Sequence, residues 1–94
     1  ARADRFVPLA EVRRMPGFTA QLVAGHEERT ALRFLDQHES LPELRYTRTE
    51  RAGRDWFVVY LGQFGDREQA RASLPALPDT VRKLQPWIRP FSEF

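Results

Sequence analysis

At 94 residues, with 41% hydrophobic and 30% charged content, the chain has the size of one folded domain whose core buries roughly two-thirds of the unfolded surface. Cysteine is absent, which excludes a disulfide framework and thiolate metal sites, and no apolar run approaches the roughly 18 residues needed to span a bilayer. The formal net charge is only +2 and the pI 9.7, a weak pointer to an anionic partner unless the charge is gathered on one face.

Residues 1–16 read as an approach segment. Arg2, Asp4, Arg5, Arg13 and Arg14 are spread among few apolar residues, and Pro8 and Pro16 bracket a stretch with Leu9, Val12 and Met15 at spacing three. Proline suits the first position of a helical turn. Two readings stay open: a mobile linker, or a short turn docked on the core. The chain begins at Ala1 rather than methionine, and the expectation is a longer parent protein upstream.

Gly17 opens a predicted strand, Phe18 to Ala24, which Gly25 closes. Strict alternation puts Ala20 and Leu22 on one face and Thr19, Gln21 and Val23 on the other. From His26 to Glu39 the period becomes helical, with Ala31, Leu32 and Leu35 as the apolar stripe. Glu27 and Glu28 favour the positive end of that helix, and His38, near its other end, is a surface or capping residue rather than a ligand. Pro42 follows as a stop.

Leu44 to Glu50 forms a more polar strand, and Arg51-Ala52-Gly53-Arg54 turns it into the strand Trp56-Phe57-Val58-Val59-Tyr60-Leu61. Two strand patterns across a short Gly-containing turn predict an antiparallel hairpin. The second strand is apolar on both faces. Phe57, Val59 and Leu61 share one side, and Trp56, Val58 and Tyr60 share the other. Asp66 and Gln69 have capping-box spacing at the start of a further helix with Ala70, Leu74 and Leu77 inward. Pro75 and Pro78 end or kink it, a turn from Asp79 to Leu84 follows, and Pro86 to Phe91 reads as a short edge strand.

The order strand, helix, strand, strand, helix, strand predicts an α+β fold of the βαββαβ ferredoxin or RNP-like kind. It has a four-stranded antiparallel sheet with two helices packed on one face. The other face then carries Gln21, Val23, Trp56, Val58 and Tyr60, with Trp87 near its rim. Exposed aromatics on a bare sheet imply a use. That face packs on the N-terminal segment, forms a dimer, is partly exposed, or binds a ligand. The ligand readings are sugar rings stacked on the aromatics with Gln21 as hydrogen-bonding amide, and nucleic-acid bases. The basic, Gly-flanked aromatic signature of RNA-recognition folds is missing from Trp56 to Tyr60.

Catalysis is not expected. His26 and His38 have no third ligand at metal spacing, Ser40, Ser73 and Ser92 lack a nucleophile-elbow context, and Glu27 and Glu28 are adjacent rather than facing across a cleft. No cofactor or metal is expected.

Three motifs in order carry a family resemblance. Phe18-Thr19-Ala20-Gln21-Leu22, then Trp56 to Phe64 with Gly62, then Asp66-Arg67-Glu68-Gln69-Ala70 resemble a SPOR domain over about residues 17–91, and Gln85-Pro86-Trp87 is similar to the ending of the DamX-type branch. On that basis residues 17–94 form a SPOR-like domain. The resemblance implies binding of septal peptidoglycan, as glycan strands lacking stem peptides, and targeting of the parent protein to the division site. It implies a periplasmic domain at the C-terminal end of a bitopic inner-membrane protein, acting as a monomer, with other division proteins as further partners and no nucleic acid. The implied glycan-binding residues are Gln21, Trp56 and Trp87, with Val23, Val58 and Tyr60 on the same predicted face. Val23-Ala24-Gly25 departs from the small hydroxyl residues typical after Gln-Leu in that branch.

Overall fold

The computed structural model describes residues 3–94; Ala1 and Arg2, the start of the predicted approach segment, lie outside it. Among the described residues the elements run α1 (Leu9–Arg14), β1 (Phe18–Gly25), α2 (Glu28–Gln37), β2 (Leu44–Arg51), β3 (Arg54–Phe64), α3 (Arg67–Ser73), a 3-10 turn Leu74–Ala76, α4 (Asp79–Arg82), β4 (Trp87–Pro90) and a 3-10 turn Phe91–Glu93. The strands form one sheet in the order β2-β3-β1-β4, every neighbouring pair antiparallel. This is the expected α+β architecture.

Local chemistry accounts for most boundaries. Asp66 caps α3, its carboxylate accepting from the Gln69 amide at 2.8 Å, while the Gln69 side chain accepts from the Gly65 N–H at 3.0 Å. The first satisfies one of the donors a helix start leaves free, and the second ties down the residue before the cap. At the end of α2 the His38 ring nitrogen Nδ1 lies 2.9 Å from the Phe34 carbonyl and the ring stacks on Phe34. His38 is thus a capping residue. The β2–β3 turn is tighter than expected. Arg51 pairs with Arg54, so only Ala52 and Gly53 turn the chain, both at positive φ (55° and 76°). That is the backbone a two-residue hairpin needs to match strand twist.

The main core lies between the sheet and the pair α2 and α3. It holds Ala20, Leu22, Phe57, Val59, Leu61 and Ile88 from the sheet against Ala31, Phe34, Leu35 and Ala70 from the helices, with Leu32 and Leu74 packed at its margin. Tyr46 belongs to it and donates its hydroxyl to the Glu28 carboxylate at 2.8 Å.

A second cluster overturns the expectation of a bare opposite face. Val12 of α1, Val58 and Tyr60 of β3, and Phe91 and Phe94 pack together and are all buried. Leu9 and Met15, the residues at spacing three from Val12, join them. The N-terminal segment therefore docks, and it docks on the side predicted to be open. Tyr60 is only 2% exposed, with its ring edge-on to Phe91 and Phe94 at 5.7 and 5.4 Å. The cause is composition. A strand as apolar as β3 on both sides gains about 1.5–3 kcal/mol for each large side chain it buries, and the chain supplies its own cover. Residues 5–7 also close the outer edge of β2. The Val7 N–H donates to Tyr46 O and the Tyr46 N–H to Arg5 O, each at 2.9 Å.

Val23 is a second correction. The β1–β3 register passes from Gln21↔Tyr60 to Val23↔Val59, so Leu22 is an extra residue on β1. A bulge of this kind reverses the facing of everything after it. Val23 consequently packs against the main core, and Ala24, opposite Val58, takes its place on the other side. A further irregularity sits across Thr19, where Gly62 has φ +81° and a Cβ there would lie 2.7 Å from the Phe64 ring. The Thr19 hydroxyl reaches the Gly62 carbonyl at 2.7 Å.

Candidate functional site

What the second cluster leaves uncovered is a groove of about 400 Å³ lined by Gln21, Trp56, Val58, Trp87, Arg89 and Phe94, with Thr49, Glu50 and Arg51 along one wall. Pairing places these side chains together. Gln21 faces Tyr60 across one ladder and Trp87 across the other, and Thr49 faces Trp56. Residues directly opposite share a face. Arg89 lies two residues beyond Trp87 on β4, so it shares that face as well. Short β4 begins at Trp87, and the indole there stands at the sheet's outer strand, 58% exposed.

The polar groups are held. Arg89 Nη1 donates to Gln21 Oε1 at 2.7 Å, and Arg89 Nη2 donates to the Glu93 carbonyl at 2.5 Å. Its guanidinium sits over the Trp87 ring at 4.7 Å and over the Phe94 ring at 4.4 Å. Burial lowers the Arg89 pKa, while the Glu93 carboxylate acts the other way. On the opposite wall the Arg51 guanidinium lies 4.8 Å from the centre of the Trp56 ring. His26 meets the same indole edge-on at 4.7 Å and is anchored through Nδ1 to the Asp55 carbonyl at 2.9 Å. Cation–π contacts of this kind contribute roughly 0.5–2 kcal/mol and hold a ring in place.

Of the predicted residues, the structure brings Gln21, Trp56 and Trp87 to one groove with Val58 among its lining. Tyr60 lies beneath α1 and the C-terminal aromatics, and Val23 lies on the helix-bearing side. Arg89, Arg51 and Phe94 were not singled out from sequence. The alternation Trp87-Ile88-Arg89 was a usable signal for the first, since a strand there sends Arg89 to the side of Trp87. Phe94 had none. Among the described residues no group of three or more acidic, histidine or cysteine side chains could hold a metal ion. What these groups can do is stack and hydrogen-bond.

The SPOR domain family model matches residues 15–90. A similar protein is "Cell division protein DamX" of Serratia marcescens, 29% identical over 83 residues that make up 86% of this chain and 38% of that protein. The chain thus spans well under half the length of that relative. With the family match running from the end of α1 through β4, the chain belongs to the SPOR domain family.

Proposed function

We propose that this domain is a non-catalytic module that binds septal peptidoglycan, as glycan strands lacking stem peptides, and so brings its parent protein to the division site. The observation that carries this reading is the division of one sheet face. Half is filled by the chain's own Val12, Phe91 and Phe94, and the other half stays open between two indoles. Trp56 and Trp87 offer flat apolar surfaces to the C–H faces of sugar rings, while the Gln21 amide meets acetamido or hydroxyl groups. Val58 floors the groove, and Tyr60 supports it from below rather than touching the sugar.

Family membership and similarity to a cell division protein support this function. On this reading the parent protein is membrane-anchored upstream, with this domain in the periplasm, monomeric and in reach of other division proteins. Among the described residues no helix is long and apolar enough to cross a membrane.

The test is retention on purified sacculi with and without amidase treatment. The wild-type domain is expected to be retained on treated sacculi and to wash off untreated ones. A Gln21→Ala, Trp56→Ala double variant that keeps its fold is expected to wash off both. Equal retention of the two proteins overturns the reading, and binding of a single-stranded oligonucleotide at low salt with a steep salt dependence would replace it with a nucleic-acid one.

A further inference from the structure

The polar groups of the groove are mostly donors. Arginine has five N–H groups and no acceptor, so the Gln21 atom that meets Arg89 Nη1 at 2.7 Å must be the carbonyl oxygen. With that oxygen committed, the amide N–H groups are what Gln21 has left to offer a ligand. Arg89 spends one N–H on Gln21 and another on the Glu93 carbonyl, and its Nε, buried, has no partner among the described residues. Arg51 adds an exposed second guanidinium over Trp56. Against these stands one carboxylate in the lining, Glu50, whose neighbours in the strand, Thr49 and Arg51, alternate to the groove side. A neutral sugar needs no such surplus of cationic donors.

A glycan strand without stem peptides is not neutral. Hydrolysis of the amide between the lactyl group of each muramic acid residue and its stem peptide breaks the C–N bond. It leaves a carboxylate on the lactyl group and an amine on the released peptide. At each lactyl position, denuded and peptide-bearing strands thus differ by a negative charge as well as by bulk.

We infer that Arg51 and Arg89, with the Gln21 amide as a third donor, recognise the free lactyl carboxylate. Charge as well as room then separates denuded strands from peptide-bearing ones. This inference rests on the glycan-binding reading above. A planar guanidinium is matched to a carboxylate in a way an ammonium is not, because its paired N–H groups meet both oxygens. The rings that flank each guanidinium restrict it in advance, which reduces the ordering that binding requires.

The experiment uses purified glycan strands freed of peptide by amidase, half of them with the lactyl carboxyl converted to a primary amide by carbodiimide and ammonium chloride. The amide keeps the size and removes the charge. Wild-type domain is expected to bind the amide form roughly ten- to a hundredfold more weakly than the acid form. Arg51→Gln, at an exposed side chain, and Arg89→Lys are expected to weaken binding of the acid form about tenfold. Both should weaken binding of the acid form more than that of the amide form, so that the ratio of the two affinities falls toward one. Equal wild-type affinity for acid and amide overturns the inference. If Trp56→Ala still abolishes both in that case, glycan binding by the groove survives without charge recognition. Failure of the wild type to bind either form removes the glycan reading itself.

Discussion

One face of the sheet is two surfaces with opposite fates. On the half beneath α1, Val58 and Tyr60 meet Val12, Phe91 and Phe94, and the rings pack edge-on and stacked as in any protein interior. On the other half, Trp56 and Trp87 pack against guanidinium groups and leave a groove. The same strand, β3, serves both, and its apolar residues do not differ in kind between them. What differs is the cover. Arg13 of α1 donates to the Phe94 main-chain oxygen at 3.0 and 3.2 Å, tying the two ends of the described chain over Tyr60. Beside them Trp87 stays 58% exposed. An aromatic residue on a sheet is therefore core or contact surface according to the reach of segments far away in sequence.

The largest expected effect breaks the comparison at the covered half. Phe91 is fully buried, so Phe91→Ala should cost about 3–5 kcal/mol, the lost transfer energy plus the cavity left behind. Trp87→Ala, at a 58% exposed ring that loses its contact with Arg89, should cost about 1 kcal/mol or less. Urea denaturation of both variants makes the measurement. Similar costs for the two would mean that the covered half is no core and that the division of the face is wrong.

Next in size is a pH effect confined to Tyr60. Burial pushes its pKa up to about 12, with Arg45 opposing and Glu11 reinforcing the shift, and its hydroxyl has no partner among the described residues. A phenol raised in the folded state stays protonated there while the unfolded chain ionises near pH 10. The stabilisation is whole below pH 10 and falls away as pH rises toward 12, by roughly 2–3 kcal/mol in all. Tyr60→Phe should remove that part of the alkaline loss. At neutral pH it should leave stability nearly unchanged, because an unpaired buried hydroxyl contributes little. Parallel alkaline titrations of wild type and variant would show that Tyr60 is wetter than the covered half allows.

How much of this was legible beforehand depends on the range of each interaction. Asp66 and Gln69 cap α3 as their spacing indicated, and the strand and helix order emerged, because period and capping are written within a few residues. Leu9, Val12 and Met15 were visible as an apolar triplet, but whether they dock, and on which side, is a contest between distant surfaces. The Leu22 bulge is decided by pairing with β3, so alternation alone sent Val23 to the wrong face. Gln21, Trp56 and Trp87 were named as site residues through a motif resemblance. Their assembly with Arg89 became visible only through the β1–β4 register. Tyr60 was misplaced for the same reason as the segment that covers it.

The smallest expected effect sharpens the open half. The hairpin that carries Arg51 and leads into Trp56 turns at Ala52 with φ 55°, a left-handed conformation that costs an ordinary side chain roughly 1 kcal/mol and that asparagine accepts more readily. Gly53, beside it, has nothing within 4 Å of the place a Cβ would occupy, and Ala52 itself is exposed, so an asparagine side chain can extend into solvent. Ala52→Asn should stabilise the domain by about 0.5 kcal/mol, read as a small rise in the urea midpoint at unchanged slope. Glycan retention should stay at the wild-type level, since Arg51 and Trp56 keep their register with β2 and β3. A gain in stability accompanied by a loss of retention would show that strain in the turn helps set the groove wall. The open half would then depend on its hairpin as much as the covered half depends on α1.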